Sequence, residues 1–455
     1  LNKVGDSVPT VTNAEYFADA FDSVQDAINQ NLVLAGHDIS AGGMITTLLE
    51  MCFANTEGGL RINLTDLAEE DIVKILFAEN PGVILQVKDT KAFEKLMEKA
   101  GVAVAKIGYP CEERSVNVRK GDYVADFDIN QLRDVWYESS HLLDRKQSGV
   151  QKADERFANY KNQPLYYQWP KGFTGKLAQY GISADRRNKT GIKAAIIREK
   201  GVNSEREMAY SMYLAGFDVK DVHITDLIAG REDLTDVNLI VFCGGFSNSD
   251  VLGSAKGWAA GFLYNEKARK ALQDFYARPD TLSLGICNGC QLMIELGLVG
   301  SNLDAKNPDI LKAAQNPNRV HMLHNDSHKF ESNFINVRIP KNNSIMMGSL
   351  SGSRIGIWAA HGEGKFGLPE GKTIEDYNVV AKYGYVAYPA NPNGSPDGLA
   401  GICSADGRHL AMMPHPERAM FPWQCGYYPQ DHKADEVTPW IEIFVNARKW
   451  IEAQK

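Results

Sequence analysis

The 455-residue sequence has no apolar run approaching the roughly 20 residues that a membrane-spanning helix needs, so no membrane partner is expected. It also has too little basic charge for a nucleic-acid surface: 49 Lys and Arg face 57 Asp and Glu, for a net charge of −8. Cysteine is sparse and scattered. Cys52, Cys111, Cys243, Cys403 and Cys425 stand singly, and only Cys287 and Cys290 share a C-x-x-C spacing. A zinc ribbon, which needs a second such pair, is therefore not expected. An odd count of seven in a long chain suits free thiols in a reducing cytosol. There is no internal repeat and no low-complexity tract. The opening Leu1-Asn2-Lys3-Val4-Gly5-Asp6 lacks the charged-then-apolar pattern of a secretory signal. Leu1 is not an ordinary initiator, and the expectation is a fragment of a longer polypeptide.

What is present is ordinary globular material, 44% hydrophobic and 23% charged, enough for two or three domains with real cores. Residues 13–30 carry Phe17, Ala20, Phe21, Val24, Ala27 and Ile28 at helical spacing, with Thr12 or Asn13 as cap. Leu32 to Ala35 reads as a strand, and helical and strand patterns mix from Met44 to Ile107, the last of them Val102 to Ile107. Val116–Val118 and Val124–Phe127 read as a hairpin closing an α+β domain near residue 130. Residues 131–190 read as an ordered connector, because Tyr166, Tyr167 and Trp169 are too aromatic for a free linker. From residue 191 the pattern becomes α/β, with strands at Ala194–Ile197 and Leu239–Cys243 and a helix at Ser204–Ala215.

The most informative stretch is Gly285-Ile286-Cys287-Asn288-Gly289-Cys290-Gln291. An apolar run precedes it and a helical pattern follows. This is the cysteine form of the G-x-S-x-G nucleophile elbow, which sets a side chain above a sheet at a helix N-terminus. Free N–H groups and the helix dipole there favour the thiolate. On the elbow alone, a nucleophile and a buried structural cysteine remain equally open, and C-x-x-C also occurs in redox and zinc sites. Cys290, one turn into the helix, reads as core.

A cysteine nucleophile needs a base, and the base needs a group to fix its tautomer. Met412-Met413-Pro414-His415-Pro416-Glu417-Arg418 offers both. Prolines on either side of His415 favour extended backbone, in which His415 and Glu417 share a face. Gly244-Gly245-Phe246-Ser247 follows the apolar run 239–243. Glycines there allow backbone N–H groups to approach a developing oxyanion. In open α/β sheets, loops after strand carboxyl ends gather on one rim, and 198–204, 243–250 and 287 qualify.

These stretches, together with Gly201-Val202-Asn203-Ser204, Ala360-His361-Gly362-Glu363-Gly364 and Asn391-Pro392-Asn393-Gly394-Ser395-Pro396, carry a resemblance. From about residue 191 to the end the chain resembles class I glutamine amidotransferases, with a flavodoxin-like α/β glutaminase domain. Over nearly its whole length it resembles the C-terminal part of the large single-chain phosphoribosylformylglycinamidine synthase family of purine biosynthesis. The resemblance implies three parts. Residues 1–130 would be an AIR synthase-like C-terminal α+β domain, half of a synthetase core. Residues 131–190 would be the connector and 191–455 the glutaminase.

The resemblance also implies roles. Cys287 would attack the glutamine side-chain amide, His415 would serve as base and acid, and Glu417 would orient it. Gly245, Phe246 and Asn288 would lie at the oxyanion hole, and Gln291 would line the glutamine pocket. Asn325 and Ser327 fall in His324-Asn325-Asp326-Ser327, where the family commonly has Arg-Asn-x-Ser, and would contact glutamine. Asn248 and Ser249 stand where the family usually has tyrosine and glycine. Gly36-His37-Asp38-Ile39-Ser40-Ala41-Gly42-Gly43-Met44 reads by itself as a strand-to-helix turn capped by Asp38 or Ser40. By resemblance, Asp38 would help hold Mg2+ and Ser40 would touch ATP or ADP, the remaining ligands lying upstream. The implied partners are glutamine, then formylglycinamide ribonucleotide and ATP through the absent N-terminal half. A γ-glutamyl hydrolase or cysteine peptidase on the same fold, and a non-catalytic docking module, are the competing readings.

Overall fold

The structure, a computed structural model, describes residues 8–162, 165–301 and 303–454. The Leu1–Asp6 opening and two positions of the aromatic stretch, Gln163 and Pro164, lie outside them. The chain divides into two compact units between Leu143 and Asp144.

The first unit opens with a helix, Ala14–Asn29, whose Asn13 side chain accepts from the Tyr16 N–H as N-cap. Its strands are β1 (Val33–Asp38), β2 (Gly59–Asn63), β3 (Val83–Val87), β4 (Gly108–Cys111), β5 (Ser115–Lys120) and β6 (Tyr123–Asp128). Strands β1 and β3 pair as a two-stranded ribbon, and the others form a sheet in the order β4-β2-β5-β6. The expected hairpin is β5–β6. Val102 to Ile107 forms no strand; the neighbouring strand is β4, which starts at Gly108. The core gathers Leu48, Ile62, Leu64, Leu76, Val116 and Val118. The first helix departs from the periodic reading. Phe17, Phe21 and Ile28 are all exposed, and its buried positions are Ser23 and Ala27. Periodicity identified the apolar stripe but not whether anything covers it.

The second unit begins within the expected connector. A helix at Val150–Asn159 follows Gly149, which takes φ 78°. Residues 165–173 pack on this unit's own surface. Gln168 exchanges backbone bonds with Arg354 at 2.9 Å in each direction, Trp169 stacks on Phe173, and His432 lies over Trp169 at 4.0 Å. The aromatics thus clad one unit.

The strands continue as β7 (Lys193–Arg198), β8 (Asp218–His223), β9 (Leu239–Phe242), β10 (Leu282–Ile286), β11 (His321–Leu323), β12 (Glu331–Arg338), β13 (Arg354–His361), β14 (Lys365–Gly367), β15 (Asn378–Tyr383), β16 (Leu399–Cys403) and β17 (His409–Met412). Nine of them form one sheet, ordered β13-β12-β15-β16-β17-β10-β9-β7-β8. The half from β17 to β8 is parallel, and the half from β13 to β17 is antiparallel. Strands β9 and β10 are buried throughout. Each large side chain of β9 contributes roughly 1.5–3 kcal/mol by leaving water. Because β9, β10 and β17 run parallel as neighbours, their carboxyl ends reach the same edge, and the segments after Phe242, Ile286 and Met412 emerge together.

Candidate active site

Cys287 stands directly after β10 and caps the helix Asn288–Glu295. Its backbone takes φ 52° and ψ −107°, a region that costs a non-glycine residue about 1–3 kcal/mol and is held by its surroundings. Those surroundings explain the flanking glycines. A Cβ on Gly289 would lie 2.0 Å from the Phe242 carbonyl oxygen, and one on Gly285 would lie 2.5 Å from the Gly289 carbonyl. The helix seats directly on the strands, and only hydrogen fits at the contact. The Cys287 N–H donates to the Met412 carbonyl at 3.0 Å, tying the elbow to β17, and its sulfur lies 3.5 Å from the Ala360 carbonyl.

Three residues beyond β17, His415 is held by its own N–H donating to Trp358 O at 2.8 Å. Its Nδ1 donates to Glu417 Oε1 at 2.6 Å. The contact forms across a single 3-10 turn, Pro416–Arg418, rather than along an extended segment. His415 itself is extended, at φ −101°, as the prolines favour; the turn brings Glu417 back under the ring.

Both side chains are almost fully buried, at 1% and 0% exposure. Burial by itself would lower the imidazole pKa. The Glu417 carboxylate overrides it, the Cys287 side chain adds to the effect, and His415 is pushed up to about 9. Burial opposes ionisation of Glu417 too, but the His415 imidazolium holds its carboxyl below the usual range. His361, buried nearby without a carboxylate partner, is pulled down to about 3 by desolvation and by His415. The comparison isolates what Glu417 supplies.

Gly244 lies between nucleophile and base. A Cβ there would sit 2.8 Å from His415 Cε1 and 3.3 Å from Cys287 Cβ. Cys287 and His415 therefore meet at one glycine. His415 Nε2 is buried and has no hydrogen-bond partner among the described residues.

Cys287 opens on a cleft of about 60 Å³, lined also by Gly245, Phe246, Gln291, His361 and Glu363. Gly245 and Val202 face each other as a bridge flanked by Asn203 N–H to Gly244 O and Phe246 N–H to Gly201 O. In that pattern the Gly245 N–H points away from Val202. Phe246 differs from its expected role: its N–H is spent on Gly201 O at 2.9 Å. The Asn288 N–H sits at the first position of its helix, where no intrahelical acceptor exists. Gln291 lines the cleft, with Nε2 donating to Glu363 O at 2.6 Å and Oε1 accepting from Asn288 Nδ2 at 2.8 Å.

Asn325 and Ser327 stand elsewhere. Asn325 is fully buried, and its amide group donates to the His361 and Lys329 carbonyls and accepts from the Gly364 N–H. It braces the loop that carries His361 and Glu363 rather than facing the cleft. Ser327 is also buried and does not line the cleft. Sequence reasoning missed Asp250, Ser254 and Glu363 as cleft residues. Glu363 was visible within the Ala360–Gly364 stretch, whereas no local signal marked Asp250.

In the first unit, Asp38 ends β1 with 71% of its side chain exposed, and Ser40 is exposed beside it. Neither caps the following helix, Gly43–Phe53, whose N-cap is Gly42 with no side-chain bond. The Gly42 N–H is taken by Glu79 Oε1 at 2.8 Å. Among the described residues no group of three His, Cys, Asp or Glu is placed to hold a metal. One carboxylate does not meet the octahedral demand of magnesium, so these residues do not complete a metal–nucleotide site by themselves. Among the described residues no helix is long and apolar enough to cross a membrane.

Comparison with known proteins finds two family matches along the chain. The C-terminal domain of AIR synthase related proteins matches residues 3–121. The chain is 39% identical over 480 residues to the probable phosphoribosylformylglycinamidine synthase, chloroplastic/mitochondrial, of Arabidopsis thaliana, covering 100% of this chain and 32% of that protein. It is 37% identical over 476 residues to phosphoribosylformylglycinamidine synthase of Homo sapiens, covering 99% and 34%. With the Drosophila melanogaster protein of that name it shares 36% over 480 residues, covering 98% and 34%. The chain spans about a third of the length of these curated relatives. The CobB/CobQ-like glutamine amidotransferase domain matches residues 191–451, more than half of the chain, and to that family the chain belongs.

Proposed function

We propose that residues 191–455 are a glutaminase that works through a Cys287-His415-Glu417 triad. The supporting observation is the buried His415–Glu417 pair, whose imidazole is pushed up to about 9 beside the elbow cysteine. At neutral pH that histidine is an imidazolium beside the Cys287 sulfur. The sulfur attacks the side-chain carbonyl carbon of glutamine. Gly245 and Asn288 N–H groups receive the negative oxygen, Phe246 lining the same wall. As the carbon–nitrogen bond breaks, His415 gives its proton to the departing nitrogen, releasing ammonia and leaving a γ-glutamyl thioester. Water then attacks the thioester, His415 takes its proton, and the thiolate leaves with glutamate released. Gln291 positions the amide.

The cleft needs to open for this. About 60 Å³, at roughly 10–15 Å³ per water-sized group, holds fewer groups than glutamine has heavy atoms.

For the whole polypeptide, the reading is an ATP-dependent phosphoribosylformylglycinamidine synthase of the cytoplasm. Residues 1–130 would be half of its synthetase core, 131–190 a connector and 191–455 the glutaminase. Ammonia would convert formylglycinamide ribonucleotide to formylglycinamidine ribonucleotide. Asp38 and Ser40 would touch magnesium and nucleotide once upstream residues supply the missing ligands. Asn325 and Ser327 would act on glutamine only through the loop they brace. Ammonia release from glutamine by the chain, and its loss in Cys287→Ala, tests the glutaminase; persistence of release in that variant would overturn it.

A further inference from the structure

The Glu417 carboxylate has one oxygen that the triad leaves unused. Oε1 accepts from His415 Nδ1 and lies 3.9 Å from the Arg418 guanidinium, whereas Oε2 is buried with no hydrogen-bond partner among the described residues. A buried charged oxygen without a donor is costly. A second buried atom is unpartnered in the complementary sense: Ser204 is 5% exposed, and its hydroxyl has no partner among the described residues either. Serine at a helix N-cap ordinarily accepts from the first free N–H groups. Ser204 stands at the N-cap of the helix Glu205–Leu214 yet makes no such bond, and its backbone takes φ 63° and ψ 15°, a left-handed conformation uncommon outside glycine. Strain of that kind persists where the surroundings hold a residue in place.

The loop around Ser204 is tied to the triad on two sides. The Asn203 N–H donates to Gly244 O at 2.8 Å, and the Arg418 guanidinium donates to Asn203 Oδ1 at 2.6 Å. The helix Glu205–Leu214 packs on the turn Pro416–Arg418 that carries Glu417. Burial opposes the charge on Glu417; His415, Arg418 and then the Ser204 hydroxyl sustain it, although hydroxyl and carboxylate stop short of hydrogen-bond geometry. Closing that gap satisfies both atoms at once. The Cys243 thiol also feels the carboxylate, and burial followed by the Glu417 charge pushes it well above its ordinary value, so it stays neutral. We infer that Ser204 is a positioning residue for the triad, its hydroxyl donating to Glu417 Oε2 so that Oε1 stays aimed at His415 Nδ1 and the carboxylate keeps its charge. This rests on the glutaminase reading and lengthens its line of groups by one, from Ser204 through Glu417 and His415 to Cys287. Ser204 acts on the reaction only through Glu417.

The test removes the donor in two ways. Ser204→Ala deletes the hydroxyl, and Ser204→Gly deletes it while suiting the left-handed backbone, so the second variant is expected to keep its melting temperature. Carbon-13 NMR of the chain labelled at histidine Cε1 reads the His415 titration without need of turnover, the resonance being assigned by its loss in His415→Asn. In the unaltered chain His415 is expected to titrate at about 9. In both variants the titration is expected about one pH unit lower, the size of one hydrogen bond to a charged group. The turnover number for ammonia release should fall about tenfold, with KM changed less than about twofold. A titration that stays near 9 in Ser204→Gly at retained melting temperature overturns the inference, as does a raised KM at unchanged turnover, because a serine that only shapes the loop leaves the His415 proton alone. Absence of ammonia release from the unaltered chain fails the glutaminase reading itself, whereas normal release with a titration indifferent to position 204 fails only the assignment of Ser204.

Discussion

Glu417→Gln is the substitution whose effect follows most directly from the geometry. The Glu417 carboxylate accepts from His415 Nδ1 at 2.6 Å, both groups being excluded from water. It holds the imidazole at about 9, against an ordinary 6.5. At about 1.4 kcal/mol per pKa unit, that is about 3 kcal/mol of preference for the imidazolium. Glutamine at 417 keeps an oxygen acceptor but removes the charge. Burial then dominates, and His415 should titrate well below neutrality, in the direction His361 already shows at about 3. At pH 7 the ring is then neutral, the imidazolium that must form on the way to protonating the departing nitrogen is no longer stabilised, and kcat is expected to fall about 10²–10⁴-fold with KM little changed. In the unaltered protein the rate should drop as pH rises through about 9; in the variant that limb should move below 7. Steady-state ammonia release from pH 5 to 10 reads both quantities. An alkaline limb that stays near 9 in Glu417→Gln, or a raised KM at unchanged kcat, would refute the argument and make Glu417 a substrate contact.

The same pair ties stability to pH. The His415 contribution is complete below 6.5 and lost as pH rises through about 9, while that of Glu417 is complete above 4.5 and lost as pH falls, so the melting temperature should decline on both sides of that window and respond less in Glu417→Gln. Cys290→Ala should retain glutamine hydrolysis, because Cys290 is fully buried in the helix with its thiol pushed up by desolvation; loss of activity at retained stability would contradict this. Gly244→Ala places a methyl group 2.8 Å from His415 Cε1 and should lower kcat/KM about 100-fold by displacing the ring, with about 1–3 kcal/mol lost in denaturant unfolding; near-normal turnover would show that the ring has room to move. Magnesium and ADP titrated into this chain should leave the melting temperature unchanged, since among the described residues no further metal ligands gather with Asp38; a saturable rise at micromolar nucleotide would show the site to be complete.

The sequence disclosed those parts of the site whose signal is local. An apolar strand running into Gly-x-Cys-x-Gly is an elbow because glycine alone fits where the helix meets the strand, and the 2.0 Å approach at Gly289 bears that constraint. The α/β register from residue 191 was legible from the unbroken apolar strands β9 and β10. The antiparallel extension β13-β12-β15-β16 was not, since its strand order depends on pairings between distant residues. Asp250 was missed for a related reason: it reaches the cleft through a run of positive φ angles that no residue type announces. Asn325 was visible as a polar residue in a promising stretch, but only the fold shows its amide committed to neighbouring backbone. In the first helix the apolar stripe was evident, yet Phe17 and Phe21 are exposed, because periodicity marks a face and not its cover.

The central claim is that Cys287 becomes covalently bonded to the glutamyl group. Rapid acid quenching of the chain with glutamine, followed by mass spectrometry of the peptide spanning residues 282–296, tests it most directly. The account predicts a γ-glutamyl adduct on Cys287 that forms and decays with ammonia release and is absent in Cys287→Ala. An adduct on Cys290, or ammonia released with undiminished rate and no adduct when Cys287 is replaced, would contradict it.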